Sequence, residues 1–184
     1  MNSKLGKALR KEFELRLRQV LPQFQAVRGD DAGPGSRLFQ WQISPTLSAF
    51  LFMHPGRHED FTVEGGWSCD GRFPLDQHPA FPIDIPEHGI RRDLPKDGRL
   101  RFRLTDLWNP KAKQFWEILP TPTFEELQKR LDQISRGVID EIPVEKGLEN
   151  IKPMVNDAVQ RFASHAVPYF LEVAKSLGQE PTPL

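Results

Sequence analysis

Three short strand-like segments in close succession constrain the fold of this chain more than any other feature. They are LFQWQI (38–43), LSAFLFM (47–53) and FTVEGGW (61–67). Each is rich in aromatic or β-branched residues and is bounded by turn-forming Pro, Gly, Ser or His. The connectors, SPT and HPGRHED, are far shorter than the dozen or more residues of a parallel crossover. Consecutive segments are therefore antiparallel neighbours. A fourth segment, RLRFRL (99–104), alternates between Arg and apolar residues throughout.

A strand places alternate residues on opposite faces. Phe39, Trp41 and Ile43 share one face, and Gln40 and Gln42 the other. In the second segment Leu47, Ala49, Leu51 and Met53 oppose Phe50 and Phe52, which predicts a central strand covered on both sides. In the third, Phe61, Val63, Gly65 and Trp67 oppose Thr62 and Glu64. In the fourth, Leu100, Phe102 and Leu104 point inward and Arg99, Arg101 and Arg103 outward.

Helices flank these strands. Leu5, Leu9, Phe13, Leu17 and Leu21 draw one apolar stripe along a helix over 1–22, capped by Asn2 or Ser3 and stopped by Pro22. Thr123 and Glu126 form a capping box for a second helix, with Phe124, Leu127, Leu131, Ile134 and Val138 on one face. Pro143 and Gly147 are expected to break the chain. A further helix carries Val155, Val159, Phe162, Ala163 and Ala166, and Pro168 kinks or restarts it before a short last helix over 169–177. The expected whole is one α+β domain over 1–184: an antiparallel sheet of about four or five strands, backed by the N-terminal helix and two or three C-terminal helices over 123–178. Residues 23–37 read as a loop and 179–184 as a frayed tail.

Residues 69–98 depart from this regularity. Pro74, Pro79, Pro82, Pro86 and Pro95 prevent regular helix and disfavour central strand. Phe73, Leu75, Phe81, Ile83 and Ile85 are interleaved among them, and the expectation is that they lie over Phe50 and Phe52. A long irregular segment is also a place where partners bind.

Composition limits the function classes. Lys and Arg number 25 and Asp and Glu 25, so the net charge is zero and argues against general nucleic-acid binding. The charge is uneven: residues 1–20 hold six bases and two acids, and residues 121–184 ten acids and seven bases. Cys69 is the single cysteine, which excludes an internal disulfide framework and a Cys-based zinc site. It reads as a small buried residue, and its neighbour Asp70 would raise the thiol pKa. No apolar run reaches the ~18 residues of a membrane span, and the expected location is the cytoplasm. The RGD at 28–30 has no accompanying secretion signal and is set aside.

Candidate chemistry is sparse. The chain has no G-x-S-x-G elbow, P-loop, G-x-G-x-x-G or H-E-x-x-H. His54, His58, Glu59 and Asp60 are candidate metal ligands, and a metal-dependent hydrolase is the reading they would support. Their spacing crosses a turn with Pro55 and Gly56, so it places no pair on a common helical face. His78 and His88 lie near Asp76, Asp84 and Glu87 but lack an oriented partner. Arg91, Arg92, Lys96, Arg99, Arg101 and Arg103 form the densest basic cluster, suited to carboxylate or phosphate recognition. A nucleic-acid binder using the Arg99/Arg101/Arg103 face is a further reading. Interspersed Asp93, Asp97 and Asp106 predict salt bridging there, with Glu64 pairing across the sheet.

The order of elements resembles that of small uncharacterised bacterial α+β domains with a helix, a β-meander and C-terminal helices. The residues carrying it are the first helix, LFQWQI, FLFMHP, FTVEGGWS, RLRFRL and FEELQKRLDQI. The resemblance implies no catalytic residue; it implies a role such as that of immunity or accessory proteins of toxin systems. The sequence thus predicts a non-enzymatic module that needs no cofactor and binds another protein, with an acidic surface, through Arg91, Arg92, Arg99, Arg101, Arg103, Phe73 and Phe81.

Overall fold

The computed structural model describes residues 1, 3–27, 35–77, 97–109, 111–120, 123–126, 128, 135 and 144–181. Helix α1 (Ser3–Val20) is followed by five strands in chain order: β1 (Gln25–Val27), β2 (Arg37–Ser44), β3 (Leu47–Pro55), β4 (Asp60–Ser68) and β5 (Arg99–Arg103). A 3-10 turn (Leu104–Leu107) leads to a short β6 (Trp116–Glu117). Helix α2 (Val144–Arg161), a π turn (Phe162–Ala166) and helix α3 (Val167–Ser176) complete the described chain. The strands lie in the order β1-β2-β3-β4-β5, with β6 also on β4, and every pairing is antiparallel. The α+β architecture is the one the segment pattern predicts.

The face assignments follow the period of two. Phe39, Trp41, Ile43, Leu47, Ala49, Leu51, Met53, Phe61, Val63, Trp67 and Phe102 all enter one large core. The apolar stripe of α1 closes it, with Leu5, Leu9, Phe13 and Leu17 wholly buried, and Ile151, Val155, Val159, Phe162 and Phe170 join from the C-terminal helices. Burial at this scale is the dominant favourable term in folding, roughly 1.5–3 kcal/mol for each large side chain. Phe50 and Phe52 lie on the opposite face in a separate small cluster with Phe73, and Leu75 packs against it. The expected cover over these two rings is thus present for Phe73 and Leu75, while Phe81, Ile83 and Ile85 lie outside the described residues.

Adjacent glycines in FTVEGGW serve the two faces in turn. A Cβ at Gly65 would run into the Phe102 ring, its cross-strand partner. A Cβ at Gly66 would come within 2.9 Å of the Phe73 ring on the other face. Each glycine is a seat for one aromatic ring.

Several expectations need correction. Residues 25–27, read as loop, form β1 because Gln25–Val27 pair with Leu38–Gln40 at the sheet edge. Trp116, outside the segments read as strands, begins β6, pairing with Phe61, and its ring stacks on Phe61 at 5.6 Å. Gly147 does not break the chain: it lies inside α2, where a Cβ would meet Leu5 at 2.8 Å, so glycine here permits close α1–α2 packing. Cys69 is exposed, with its sulfur against Gly98. Desolvation on that side and the charge of Asp70 raise its thiol pKa. Gln179 is held: its backbone N–H donates to the Ala174 carbonyl at 2.8 Å after Gly178 at φ +66, a helix-closing turn. Its side-chain oxygen accepts from Ser44 and Thr46 at 2.8 and 3.0 Å.

Where the helix restarts, the ladder widens into the π turn just before Pro168, whose ring nitrogen has no hydrogen to donate. The expected capping box forms as read, with Glu126 accepting from the Thr123 N–H at 2.7 Å, while Leu127, Leu131, Ile134 and Val138 of the helix expected after it lie outside the described residues.

Candidate functional site

The second face of the sheet brings the sequence-predicted residues together around Arg101. β5 places Arg99, Arg101 and Arg103 on this face by alternation. Register puts Glu64 directly opposite Arg103, and Arg101 one step along the diagonal. Diagonal neighbours are within reach of long side chains. Arg101 Nε accordingly donates to Glu64 Oε2 at 2.6 Å, with the two side chains only 13% and 15% exposed. Its Nη1 donates to the carbonyls of Leu75 and Gln77 at 3.3 and 3.1 Å. The guanidinium carbon also lies 5.7 Å from the Phe52 ring centre and 5.3 Å from that of Phe73.

One arginine thus joins β4, the backbone of the segment after Phe73, and the aromatic pair beneath. Of the five N–H donors of a guanidinium, three are used here, so Arg101 is a latch holding 73–77 against the sheet. Phe73 completes the attachment, with ring centres 5.7 Å from Phe50 and 5.3 Å from Phe52.

Arg99 closes the neck of the segment that runs from 77 to 97. It pairs with Asp76 at 2.9 Å and Asp97 at 3.3 Å, and Gln77 Nε2 donates to Asp97 Oδ2 at 2.9 Å. The Cys69 N–H donates to the Gly98 carbonyl at 2.9 Å on the same neck. Of the acids read as bridging this face, Asp97 pairs with Arg99 and Asp93 lies outside the described residues, while Glu64 pairs across the sheet with Arg101. Arg91, Arg92 and Phe81 lie outside the described residues.

Asp106 was legible only as an interspersed acid. It is 1% exposed, and its Oδ2 accepts from the Arg103 backbone N–H at 2.9 Å while Oδ1 has no hydrogen-bond partner. Burial above all, helped by the nearby Glu64 charge, pushes its pKa up to about 6; the bond from Arg103 and the Arg103 charge act the other way. At the far end of the same face, Gln40 Nε2 donates to Ser48 Oγ at 2.9 Å and Ser48 donates to Gln42 Oε1 at 3.1 Å.

The candidate metal ligands are not gathered. His54 Nδ1 lies 2.8 Å from Ser36 Oγ, just before β2, and its ring stacks on Phe52. His58 is exposed, Glu59 adopts φ 54 in the turn, and Asp60 begins β4. Among the described residues no group of three or more His, Cys, Asp or Glu is arranged to hold a metal ion. His165 stacks on Trp108 at 4.9 Å, and Arg161 lies 5.4 Å over the same ring. His78 and His88 lie outside the described residues.

No helix among the described residues is long and apolar enough to cross a membrane. Comparison with protein-family models, curated proteins and solved structures finds no match for this chain.

Proposed function

We propose that this chain is a non-enzymatic protein-binding module that presents the segment between its latched neck residues to a partner protein with an acidic surface. The observation that supports this reading is the neck itself. Arg99, Asp76, Gln77 and Asp97 tie the two ends together, and Arg101 fastens the entering segment to the sheet. A rigid scaffold that fixes both ends of a connecting segment is a common way to present a binding surface. The sequence between those ends carries Phe81, Arg91 and Arg92. Aromatic residues and arginine dominate interface energetics, and the guanidinium fork matches carboxylates.

The test is affinity capture from a lysate of the native cell, using the whole chain and a Phe81→Ala/Arg91→Ala/Arg92→Ala protein of unchanged melting temperature. The reading expects one stoichiometric acidic protein partner, lost in the variant. Capture of the same partner by both proteins, or of none by either, contradicts it.

A further inference from the structure

We infer that the outward face of α1, together with the groove between α1 and α2, docks an acidic amphipathic helix of a partner protein. This surface is distinct from the latched neck and stands whether or not that segment binds anything.

The argument begins with helix periodicity. The inward stripe of α1 is consumed by the core, so nothing apolar on that side is available. On the other side Lys4, Lys7, Lys11, Leu15 and Arg18 step by three and four residues and therefore share one face. All five are exposed, Leu15 by 50%. Lys7, Lys11 and Arg18 make no ion pair among the described residues, and Glu14 of the same helix is engaged by Arg37 at 2.7 Å. A chain of zero net charge thus concentrates positive charge along one helix face. At 1.5 Å per residue this stripe is about 21 Å long, four turns of a partner helix.

Beside the stripe runs a groove of about 540 Å³, lined among others by Glu12, Leu15, Arg16, Gln19, Lys152 and Pro153. Leu15 and Pro153 offer apolar contact next to the cations. Arg16 Nε is buried without a hydrogen-bond partner, a donor that an acceptor from outside would satisfy. A helix with carboxylates on one side and a leucine-like side chain on the adjoining side matches both features, which is how amphipathic helices enter grooves. A lipid headgroup layer or a nucleic-acid backbone would match the cations alone and would leave Leu15 without an apolar partner.

The probe is a fluorescein-labelled 18-residue designed helix with Glu at i, i+3, i+4 and i+7 and Leu on the adjoining stripe. It is titrated by anisotropy with the full chain, beside its Glu→Lys counterpart, phosphatidylglycerol vesicles and duplex DNA. Two variants accompany the wild type: Lys7→Glu/Lys11→Glu/Arg18→Glu and Leu15→Ser. All the substituted residues are exposed, and thermal melts confirm that both proteins fold. The inference expects binding of the acidic helix that weakens about tenfold or more on charge reversal and about threefold in Leu15→Ser. Added salt weakens it, because exposed charges are screened over ~8–10 Å. The Lys helix does not bind, and the Phe81→Ala/Arg91→Ala/Arg92→Ala protein binds the acidic helix as wild type does. No binding of the acidic helix, binding indifferent to charge reversal, or tighter binding of vesicles or DNA with no effect of Leu15→Ser overturns the inference.

Discussion

The two faces of the sheet are held by different physics. The helix-covered face is closed by hydrocarbon from α1, four long strands and two C-terminal helices, with Trp67, Phe13, Phe162 and Phe170 buried at its centre. Among the described residues, the other face is closed by three rings, Phe50, Phe52 and Phe73, and by the little-exposed ion pair Glu64–Arg101. Apolar burial is non-directional and nearly independent of pH. An ion pair with a buried carboxylate beside it depends on geometry and protonation. The first face therefore sets whether the chain folds, and the second sets whether residues 73–77 stay attached to what has folded.

That contrast orders the expected effects. Trp67→Ala removes a wholly buried ring and its indole bond to Tyr169 Oη at 3.3 Å, and is expected to cost about 3–5 kcal/mol by urea titration. Burial pushes the Tyr169 hydroxyl up to about 12, against the opposing pull of the indole bond, so the ring stays neutral across the working pH range. On the second face, Arg101→Ala leaves Glu64 half-stranded in a poorly solvated place and is expected to cost on the order of 2–3 kcal/mol. The double change Arg101→Met/Glu64→Gln should recover most of that loss, since removing both charges avoids the stranded one. A recovery of nothing would mean that the carbonyl bonds to Leu75 and Gln77 carry the effect.

Asp106 adds a pH dependence to the second face. Its folded pKa of about 6 lies above the ordinary 3.8, so the folded state holds the proton more tightly. The stability that this group contributes is complete at low pH and is lost as pH rises through about 6. Asp106→Asn keeps an acceptor for the Arg103 N–H and removes the buried charge. It is expected to stabilise by on the order of 2 kcal/mol at pH 7.5 and by little at pH 3.5, read as the difference from wild type. A constant difference across that range contradicts the assignment. The smallest effect belongs to Arg99→Ala. Its pairs with Asp76 and Asp97 are well exposed, and the expected cost is under about 0.5 kcal/mol, shrinking with salt.

The helix-covered face was legible because period and hydrophobicity encode it directly: Leu5 to Leu21 at every fourth position, and Leu47, Ala49, Leu51 and Met53 at every second. The second face was legible in part. Phe50 and Phe52 announced an extra layer, and Phe73 and Leu75 were readable as its cover. The latch was harder, because Arg101 meets Glu64 through a register between segments separated by 30 residues of sequence, and no local rule fixes that register. Gly147 misled for a related reason. Glycine is a poor helix former in isolation, and only the nearness of Leu5 explains why one stands inside α2. Cys69 misled because small apolar character predicts burial, whereas its place at the end of β4 leaves it at the surface.

The most direct test of the latch is native-state hydrogen exchange on wild type and Arg101→Met. The amides of Leu75 and Gln77, bonded to the carbonyls of Phe73 and Pro74 at 2.8 and 3.2 Å, report on the attached segment. Those of Ala49 and Leu51 report on the central strand. The expected result is lost protection at Leu75 and Gln77 with protection at Ala49 and Leu51 retained. Unchanged protection at Leu75 and Gln77, or an equal fall at all four, would contradict the division of the molecule into a fixed face and a latched one.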